Sequence, residues 1–134
     1  EFIRTEILSA LSEIKPKYEM MTVSEFVSSV TGVIKISSDQ PYRLLIDKKS
    51  REEMKILFSK YYVYTNIGWA ELFESKEIKN YLMICIRRII FNAYKELFTN
   101  ESDYPKNINA MSVRITEKEI NQLKEYFSKS NFKI

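Results

Sequence analysis

The chain has 134 residues, of which 45 % are apolar and 29 % are charged, and its net charge is +3. This length suits one domain that buries about two thirds of its unfolded surface. The absence of histidine and the single cysteine, Cys85, exclude imidazole catalysis, an intramolecular disulfide and the usual zinc and iron–sulfur sites. We therefore expect no metal and no cofactor. The mild positive charge is compatible with nucleic acid, a nucleotide or an acidic partner.

The low content of glycine and proline, two and three residues, favours an all-α fold. Apolar residues at helical spacing predict a first helix over Phe2–Ile14, ended by Pro16. Thr22-Val-Ser-Glu25 has the spacing of a capping box. It predicts a second helix that runs to about Val30, with Gly32 as its stop.

The middle of the sequence begins with residues 33–46, which have mixed character and are predicted to form a loop. Ser50-Arg-Glu-Glu53 is a second capping box and predicts a helix to about Tyr62. The buried face of that helix is predicted to carry Met54, Leu57, Phe58 and Tyr61. Thr65 or Asn66 is expected to cap a short helix that ends near residue 73.

The longest apolar stretch predicts a helix over about 77–98, with Ser75 as its candidate cap. One face of this helix carries residues at three- and four-residue steps, namely Ile78, Leu82, Cys85, Ile89, Ala93 and Leu97. Because few polar positions interrupt its surface, we expect other helices to wrap it as the core of the domain. Arg87 and Arg88 lie midway along it, so we do not expect it to span a membrane.

The last part of the sequence contains a predicted surface loop, 99–111, and a final helix. A third capping box, Thr116-Glu-Lys-Glu119, begins that helix, which is predicted to run to about Lys129. Its buried stripe is predicted to contain Ile120, Leu123, Tyr126 and Phe127. The chain 1–134 is therefore expected to be a single compact domain of six or seven helices around the helix at 77–98. Since no secretory signal is visible, we expect a cytoplasmic location.

The most informative polar stretch spans residues 47–55, where cations gather at a predicted helix start. Free backbone N–H groups and the helix dipole favour an anion at such a position. Arg51 and Lys55 lie one turn apart on the same side, and Lys48 and Lys49 precede them. A phosphate or triphosphate suits this set, with Arg51 as a bidentate clamp. The alternative is a solvated helix start whose cations pair with the neighbouring glutamates.

Two further sets of residues are candidates for contacts. Arginine within an apolar helix needs a carboxylate, a phosphate or a path to solvent. Arg87 and Arg88 therefore either pair with a nearby acid or grip a phosphate or a partner subunit. Aromatic residues beside cations can stack on bases, although at helical spacing they more often belong to a core. Trp69, at a predicted helix start beside a glycine, is the aromatic residue that we expect to be partly exposed.

Signatures of catalysis are missing from the sequence. It contains neither a phosphate-binding glycine loop nor a dinucleotide fingerprint, and no histidine is present to activate a serine or cysteine nucleophile. The adjacent acids Glu52 and Glu53 lie on one predicted helix rather than across a cleft. The sequence therefore does not predict an enzyme that acts alone.

The order of features across residues 47–98 resembles a known family. A basic segment, Lys48-Lys49-Ser50, leads into Arg51 and an apolar helix, and a Thr65-capped helix and a long helix with Arg87-Arg88 follow. This order resembles the C-terminal domain of the large subunit of archaeal and eukaryotic primases. That domain holds an iron–sulfur cluster with four cysteines, which this chain lacks. The chain is, however, similar to the PriX family, the small third subunits of crenarchaeal primases, which look like that domain without the cluster.

The resemblance implies that the basic segment and the arginine bind the triphosphate of an initiating nucleotide. The residues that match are Lys48, Lys49 and Arg51, with Lys60 as an additional candidate, and the helix face shared with Arg51 adds Lys55. Where the family has an aromatic hydroxyl one turn after the arginine, this chain has Met54. Our own further candidates for template or subunit contacts are Trp69, Arg87 and Arg88.

Two functions follow as expectations. The first is a non-catalytic accessory subunit of a DNA primase, which holds the initiating nucleoside triphosphate and the single-stranded DNA template beside the catalytic and large subunits. The alternative is a helical protein–protein interaction adaptor without nucleotide affinity. A basic cleft around Arg51 favours the first function, and an exposed apolar strip beside Trp69 favours the second. Weak nucleic-acid binding through general positive charge is a third possibility.

Overall fold

A computed structural model describes residues 2–37, 39–61, 68–98 and 112–129. The predicted helical class is confirmed, because seven helices and one small two-stranded sheet account for most of these residues. In chain order, the elements are α1 (Phe2–Glu13), β1 (Lys17–Thr22), α2 (Val23–Val33), α3 (Gln40–Leu44), α4 (Lys48–Tyr61), α5 (Trp69–Glu74), α6 (Ile78–Phe98), β2 (Ser112–Ile115) and α7 (Glu117–Lys129). No helix within these ranges combines the length and the apolar character that a membrane crossing requires.

The described chain divides into two compact units. The terminal unit comprises the residues up to Ile34 together with those from Ile89 onward, and the middle unit comprises Lys35–Arg88. Helix α6 therefore contributes residues to both units. Its buried side chains are Ile78, Leu82, Cys85 and Ile86 in the middle unit and Ile89, Ile90, Ala93 and Tyr94 in the terminal unit. Leu97, which the sequence placed on the buried face, is instead exposed because it lies in the last turn of the helix.

Helix α1 packs against α2 and α7 in the terminal unit. Its buried residues, Ile3, Ile7, Ala10 and Leu11, repeat at helical spacing, which confirms the first predicted helix. Most of the predicted stripe on α7 is also buried, namely Ile120, Leu123 and Phe127. Tyr126 is only half-buried, because its hydroxyl reaches out to donate a hydrogen bond of 2.9 Å to the Glu96 carboxylate.

Capping interactions begin α2 and α7, as predicted. Thr22 Oγ1 accepts the Glu25 N–H at 3.0 Å, and the Glu25 carboxylate accepts the Thr22 N–H at 3.4 Å. Thr116 donates its N–H to the Glu119 carboxylate at 2.9 Å, and the Thr116 hydroxyl also contacts that carboxylate. These bonds satisfy backbone donors that a helix start otherwise leaves unpaired.

The predicted stop of α2 at Gly32 is wrong. The helix continues to Val33, and Ile34 then leaves it in an extended conformation while its N–H donates to the Thr31 carbonyl oxygen at 3.2 Å. Gly32 has no positive φ angle, so the helix end makes no use of its conformational freedom. Ile34, the first residue after the helix, is buried.

The antiparallel pairing of β1 with β2 was not predicted from the sequence. Thr22 lies opposite Ser112, and Met21 lies opposite Val113, with an irregular register between Met21 and Lys17. The two strands are short and come from opposite ends of the sequence. Strand formation therefore depends on the tertiary context more than on local propensity.

The middle unit contains a helix in a segment predicted to be a loop, and another that begins earlier than predicted. Helix α3 lies within residues 33–46, with Pro41 in its first turn, where proline is well tolerated. Helix α4 begins at Lys48 rather than after Ser50. The Asp47 carboxylate accepts both the N–H and the hydroxyl of Ser50, each at 3.2 Å. Asp47 therefore takes the capping role that the sequence assigned to Ser50.

Helix α5 begins at Trp69 with Gly68 at its N-cap position and without a side-chain cap. The predicted caps, Thr65 and Asn66, lie outside the described residues, as do the predicted helix end at Tyr62 and the predicted loop 99–111. Ser75 Oγ accepts the Glu77 N–H at 3.0 Å, as expected of a cap, but α6 begins only at Ile78 and Ser75 is the C-cap residue of α5. The hydrogen bond therefore belongs to the turn that leads into α6.

Candidate functional site

A groove with a volume of about 660 Å³ lies within the middle unit, and we call it the Arg51 groove. Helices α3, α4 and α5, together with the turn after α3, supply its walls. Its basic residues are Lys48, Arg51 and Lys55. Its main apolar and aromatic residues are Tyr42, Leu45, Ile46, Trp69 and Phe73. The structure therefore brings four of the eight predicted site residues into one place.

The basic residues of the Arg51 groove form a row along α4. Lys48, Arg51 and Lys55 are three and four residues apart, so they project from one side of the helix. Met54, Leu57 and Phe58 are buried on the other side, as predicted. Tyr61, which was also predicted to face inward, lies in the last turn of the helix and is only half-buried. The apolar pattern of the helix thus orients the cations toward solvent and into the groove.

Trp69, the first residue of α5, also lines the groove and is 40 % exposed. Its ring centroid lies 6.1 Å from that of Phe73, which in turn lies 6.3 Å from the ring centroid of the buried Phe58. These three rings connect the groove to the core of the middle unit. The predicted partial exposure of Trp69 is confirmed, and its ring is supported from behind by packing.

Tyr42 and Ile46 line the groove from the side of α3, and neither was predicted as a site residue. The Tyr42 hydroxyl donates a hydrogen bond of 2.9 Å to the Ser75 carbonyl oxygen, which fixes the ring while leaving it 38 % exposed. Ile46 is 81 % exposed. The exposure of Ile46 could have been predicted, because it directly precedes the charged residues 47–49 and does not belong to the apolar face of any predicted helix.

Two carboxylates reduce the net positive charge of the groove. Glu52 and Glu74 both line it, and Glu52 Oε1 lies 3.7 Å from Lys55 Nζ. Three cations and two carboxylates leave the groove with one net positive charge. Because both partners of the Lys55–Glu52 pair are well exposed, water screens their attraction and an incoming anion can compete for Lys55.

The start of α4 is less open to an anion than the sequence implied. The Asp47 carboxylate already accepts the Ser50 N–H, which is one of the donors that a bound phosphate would use. An anion in the Arg51 groove therefore has to be held chiefly by side chains. Lys48, Arg51 and Lys55 are the cations in position to do so.

The other predicted site residues lie elsewhere. Lys49, although next to Lys48, does not line the Arg51 groove, and Lys60 lies with its Nζ 5.3 Å from the centre of the Tyr61 ring. Arg87 and Arg88 are half-buried on α6 and are likewise absent from the walls of the groove. These four residues are therefore not part of one site with Arg51.

Cys85 is fully buried on α6. Burial raises the pKa of its thiol from 9.0 to about 12, although the nearby charge of Arg88 acts in the opposite direction. The thiol is therefore protonated and unreactive at neutral pH. Within the described ranges, no three acidic, cysteine or histidine side chains come together in a way that could hold a metal ion. The expected lack of a cofactor stays a prediction.

A second groove, of about 440 Å³, lies within the terminal unit beside Leu97 and Tyr126. Its remaining lining residues are Gln122, Glu125 and Lys129. The Lys129 ammonium pairs with the Glu125 carboxylate at 2.8 Å, so the charges of this groove largely satisfy each other. It offers a ligand less uncompensated charge than the Arg51 groove does.

Comparison with protein-family models, with curated proteins and with solved structures finds no match to this chain. The function has to be argued from the groove itself.

Proposed function

We propose that the protein is a non-catalytic accessory subunit of a DNA primase, and that the Arg51 groove holds the triphosphate of the initiating nucleotide. The observation that carries the proposal is the convergence of Lys48, Arg51 and Lys55 with exposed aromatic rings in one groove. The order of features along the sequence, which resembles the primase family, supports the same function. The proposed partners are the catalytic and large subunits of the primase and a single-stranded DNA template, in the cytoplasm.

The proposed contribution to catalysis is positioning and charge neutralisation. A nucleoside triphosphate carries several negative charges, which the row of cations on α4 can approach from one side. Holding the first nucleotide in place converts dinucleotide formation from a meeting of separate molecules into a reaction within one complex. No covalent chemistry is required of this chain, which suits the absence of histidine from its sequence.

The experiment is primer synthesis by a reconstituted primase complex that contains this chain as wild type or Arg51→Ala. We expect Arg51→Ala to raise the nucleotide concentration needed for initiation about ten-fold, because a bidentate contact to phosphate is lost. Extension of a ready-made primer should be unchanged, since it needs no initiating triphosphate. Unchanged initiation in the variant would refute the assignment.

Lys49→Ala is the matched control for this experiment. It removes the same charge from the same turn of α4 as Lys48→Ala, but Lys49 lies outside the groove. We expect Lys48→Ala to impair initiation and Lys49→Ala to have little effect. Equal effects of both variants would indicate a response to general positive charge, which would also appear as a steep salt dependence.

A helical protein–protein adaptor is the second candidate function, and one observation favours it. Ile46, Tyr42 and Trp69 expose apolar surface in the same groove, with Ile46 exposed by 81 %. Exposed apolar clusters of this kind mark surfaces that bind other molecules. The adaptor predicts that Ile46→Ser abolishes partner binding while nucleotide affinity is absent from the outset, whereas the primase function predicts nucleotide binding that depends on Arg51.

A further inference from the structure

We infer that the Arg51 groove contains a base-stacking subsite, formed by the rings of Tyr42 and Trp69 beside the phosphate-binding cations. The inference rests on the proposed function and specifies the ligand further. The groove would recognise the nucleobase of a nucleoside triphosphate as well as its phosphates, and it would favour purines because they have the larger stacking surface.

The two rings are held in place before any ligand arrives. Trp69 rests against Phe73, with 6.1 Å between ring centroids, and Phe73 packs near the buried Phe58. Tyr42 is fixed at its far end by the hydrogen bond of 2.9 Å from its hydroxyl to the Ser75 carbonyl oxygen. Side chains that are already ordered lose little conformational entropy on binding, so their contacts contribute more fully to affinity.

The arrangement of charge and apolar surface points to a nucleotide in particular. The cations lie on α4, whereas the rings come from α3 and α5, so the groove has a charged side and an aromatic side. Inorganic phosphate would use only the first side, and an apolar peptide helix would use only the second. A nucleoside triphosphate carries a charged chain and a flat π-surface in one molecule and can use both.

The single tryptophan of the chain gives a direct measurement. Trp69 is the only tryptophan, so the tryptophan fluorescence of the full chain reports on this wall of the groove alone. We would titrate the chain with ATP and, separately, with inorganic tripolyphosphate. ATP should quench the fluorescence and bind about ten-fold more tightly, since stacking of one base contributes at least this factor. Tripolyphosphate should bind without comparable quenching.

Variants that remove or keep each ring separate stacking from structure. By calorimetry, Tyr42→Leu and Trp69→Leu should each lose several-fold to ten-fold in ATP affinity and keep their affinity for tripolyphosphate. Trp69→Phe keeps a ring and should retain most of the ATP affinity. Tyr42→Phe also keeps a ring but loses the hydrogen bond to Ser75, so its ATP affinity should lie between those of wild type and Tyr42→Leu. The far-ultraviolet circular dichroism of each variant checks that the helices are intact.

The outcomes distinguish failure of the base subsite alone from failure of the phosphate site as well. Equal affinity for ATP and tripolyphosphate, with leucine variants that behave like wild type, would overturn the base subsite and leave the phosphate site standing. A loss of both ligands in a folded Trp69→Leu chain would also overturn it, because the ring would then only support the groove. No binding of either ligand by the wild-type chain would overturn both proposals.

Discussion

The two units of the chain differ in how they use large apolar side chains. Among the described residues, seven such side chains are exposed. The middle unit contributes five of them, Tyr42, Ile46, Ile56, Trp69 and Ile84, and the terminal unit contributes Met20 and Leu97. Since exposed apolar surface is costly in water, its concentration in one unit is typical of a binding region. The terminal unit, by contrast, directs most of its apolar residues into packing.

The charged residues of the two units differ in the same way. In the terminal unit, Lys129 and Glu125 pair across one turn of α7 beside the smaller groove. In the Arg51 groove, Lys55 has a distant partner in Glu52, whereas Lys48 and Arg51 form no ion pair with any other described residue. Charges that a protein leaves unpaired in a groove are available to a ligand. This difference supports the proposal that the middle unit binds the ligand, whereas the terminal unit contributes chiefly to stability.

The largest expected effect tests this assignment through core packing. Phe127 is fully buried in the terminal unit, so Phe127→Ala should lower the free energy of unfolding by about 3–5 kcal/mol. Trp69→Ala removes a larger side chain from the rim of the Arg51 groove, but it should cost less, about 1–2 kcal/mol, because 40 % of that residue is exposed. Urea denaturation of both variants measures the two values.

The difference between the unfolding free energies of the two variants tests the division between the units. If Trp69→Ala destabilised the protein as much as Phe127→Ala, the exposed ring would have a structural role and the division between the units would fail. Phe73→Leu is a useful reference, because it weakens the support of Trp69 while keeping an apolar side chain at that position.

The fold was more predictable from the sequence in the terminal unit than in the middle unit. There, helical apolar spacing and the paired Thr and Glu residues 22–25 and 116–119 gave the correct helix starts, because the cap and its partner lie three residues apart. The pairing of β1 with β2 was missed, since nothing local to either strand specifies a partner so distant in the chain.

The site was only partly predictable from the sequence, and for a related reason. Lys48, Arg51 and Lys55 share one helix, so their spacing alone placed them on one side. Tyr42 enters the groove from another helix, and only the tertiary structure brings it near Arg51. Asp47 was overlooked as a cap because the more familiar Ser-x-x-Glu pattern begins three residues later. Contacts within one helix are readable from spacing, and contacts between helices are not.

The next largest effect is the loss of stability at alkaline pH, to which two buried residues of α6 contribute. Burial raises the pKa of Cys85 from 9.0 to about 12, against the opposing charge of Arg88. Between these values the unfolded chain loses the thiol proton and the folded chain keeps it, so folding becomes less favourable as the pH rises. The free energy of unfolding should fall by up to about 1.4 kcal/mol per pH unit above pH 9. Urea denaturation at several pH values measures this slope.

Tyr94 should act in the same direction from about pH 10. Its burial, together with the charge of Glu119, raises its pKa from 10.0 to about 12. Cys85→Ala should remove the part of the slope that begins near pH 9, and Tyr94→Phe the part that begins near pH 10. The comparison uses slopes rather than absolute stabilities, so the packing cost of either variant does not affect it. An unchanged slope in Cys85→Ala would contradict the assignment.

The smallest effect is the loss of stability when an N-cap side chain is removed. The two units cap their helices with different residues. At α7, Thr116→Ala removes the hydroxyl that contacts Glu119 and should cost about 1 kcal/mol of stability. At α4, the corresponding residue is Asp47 rather than Ser50, because the Asp47 carboxylate accepts the Ser50 N–H at 3.2 Å. Asp47→Ala should therefore also cost about 1 kcal/mol.

Ser50→Ala and Asp47→Asn decide which residue caps α4. Ser50→Ala loses the hydroxyl bond of 3.2 Å to Asp47 but keeps the backbone bond, so it should cost clearly less than Asp47→Ala. Asp47→Asn retains a side-chain oxygen at the cap and should stay close to wild type, since asparagine caps helices about as well as aspartate. A larger cost for Ser50→Ala than for Asp47→Ala would restore the cap that the sequence pattern predicted. It would also reopen the start of α4 to an anion, because the Ser50 N–H would then lack its carboxylate partner.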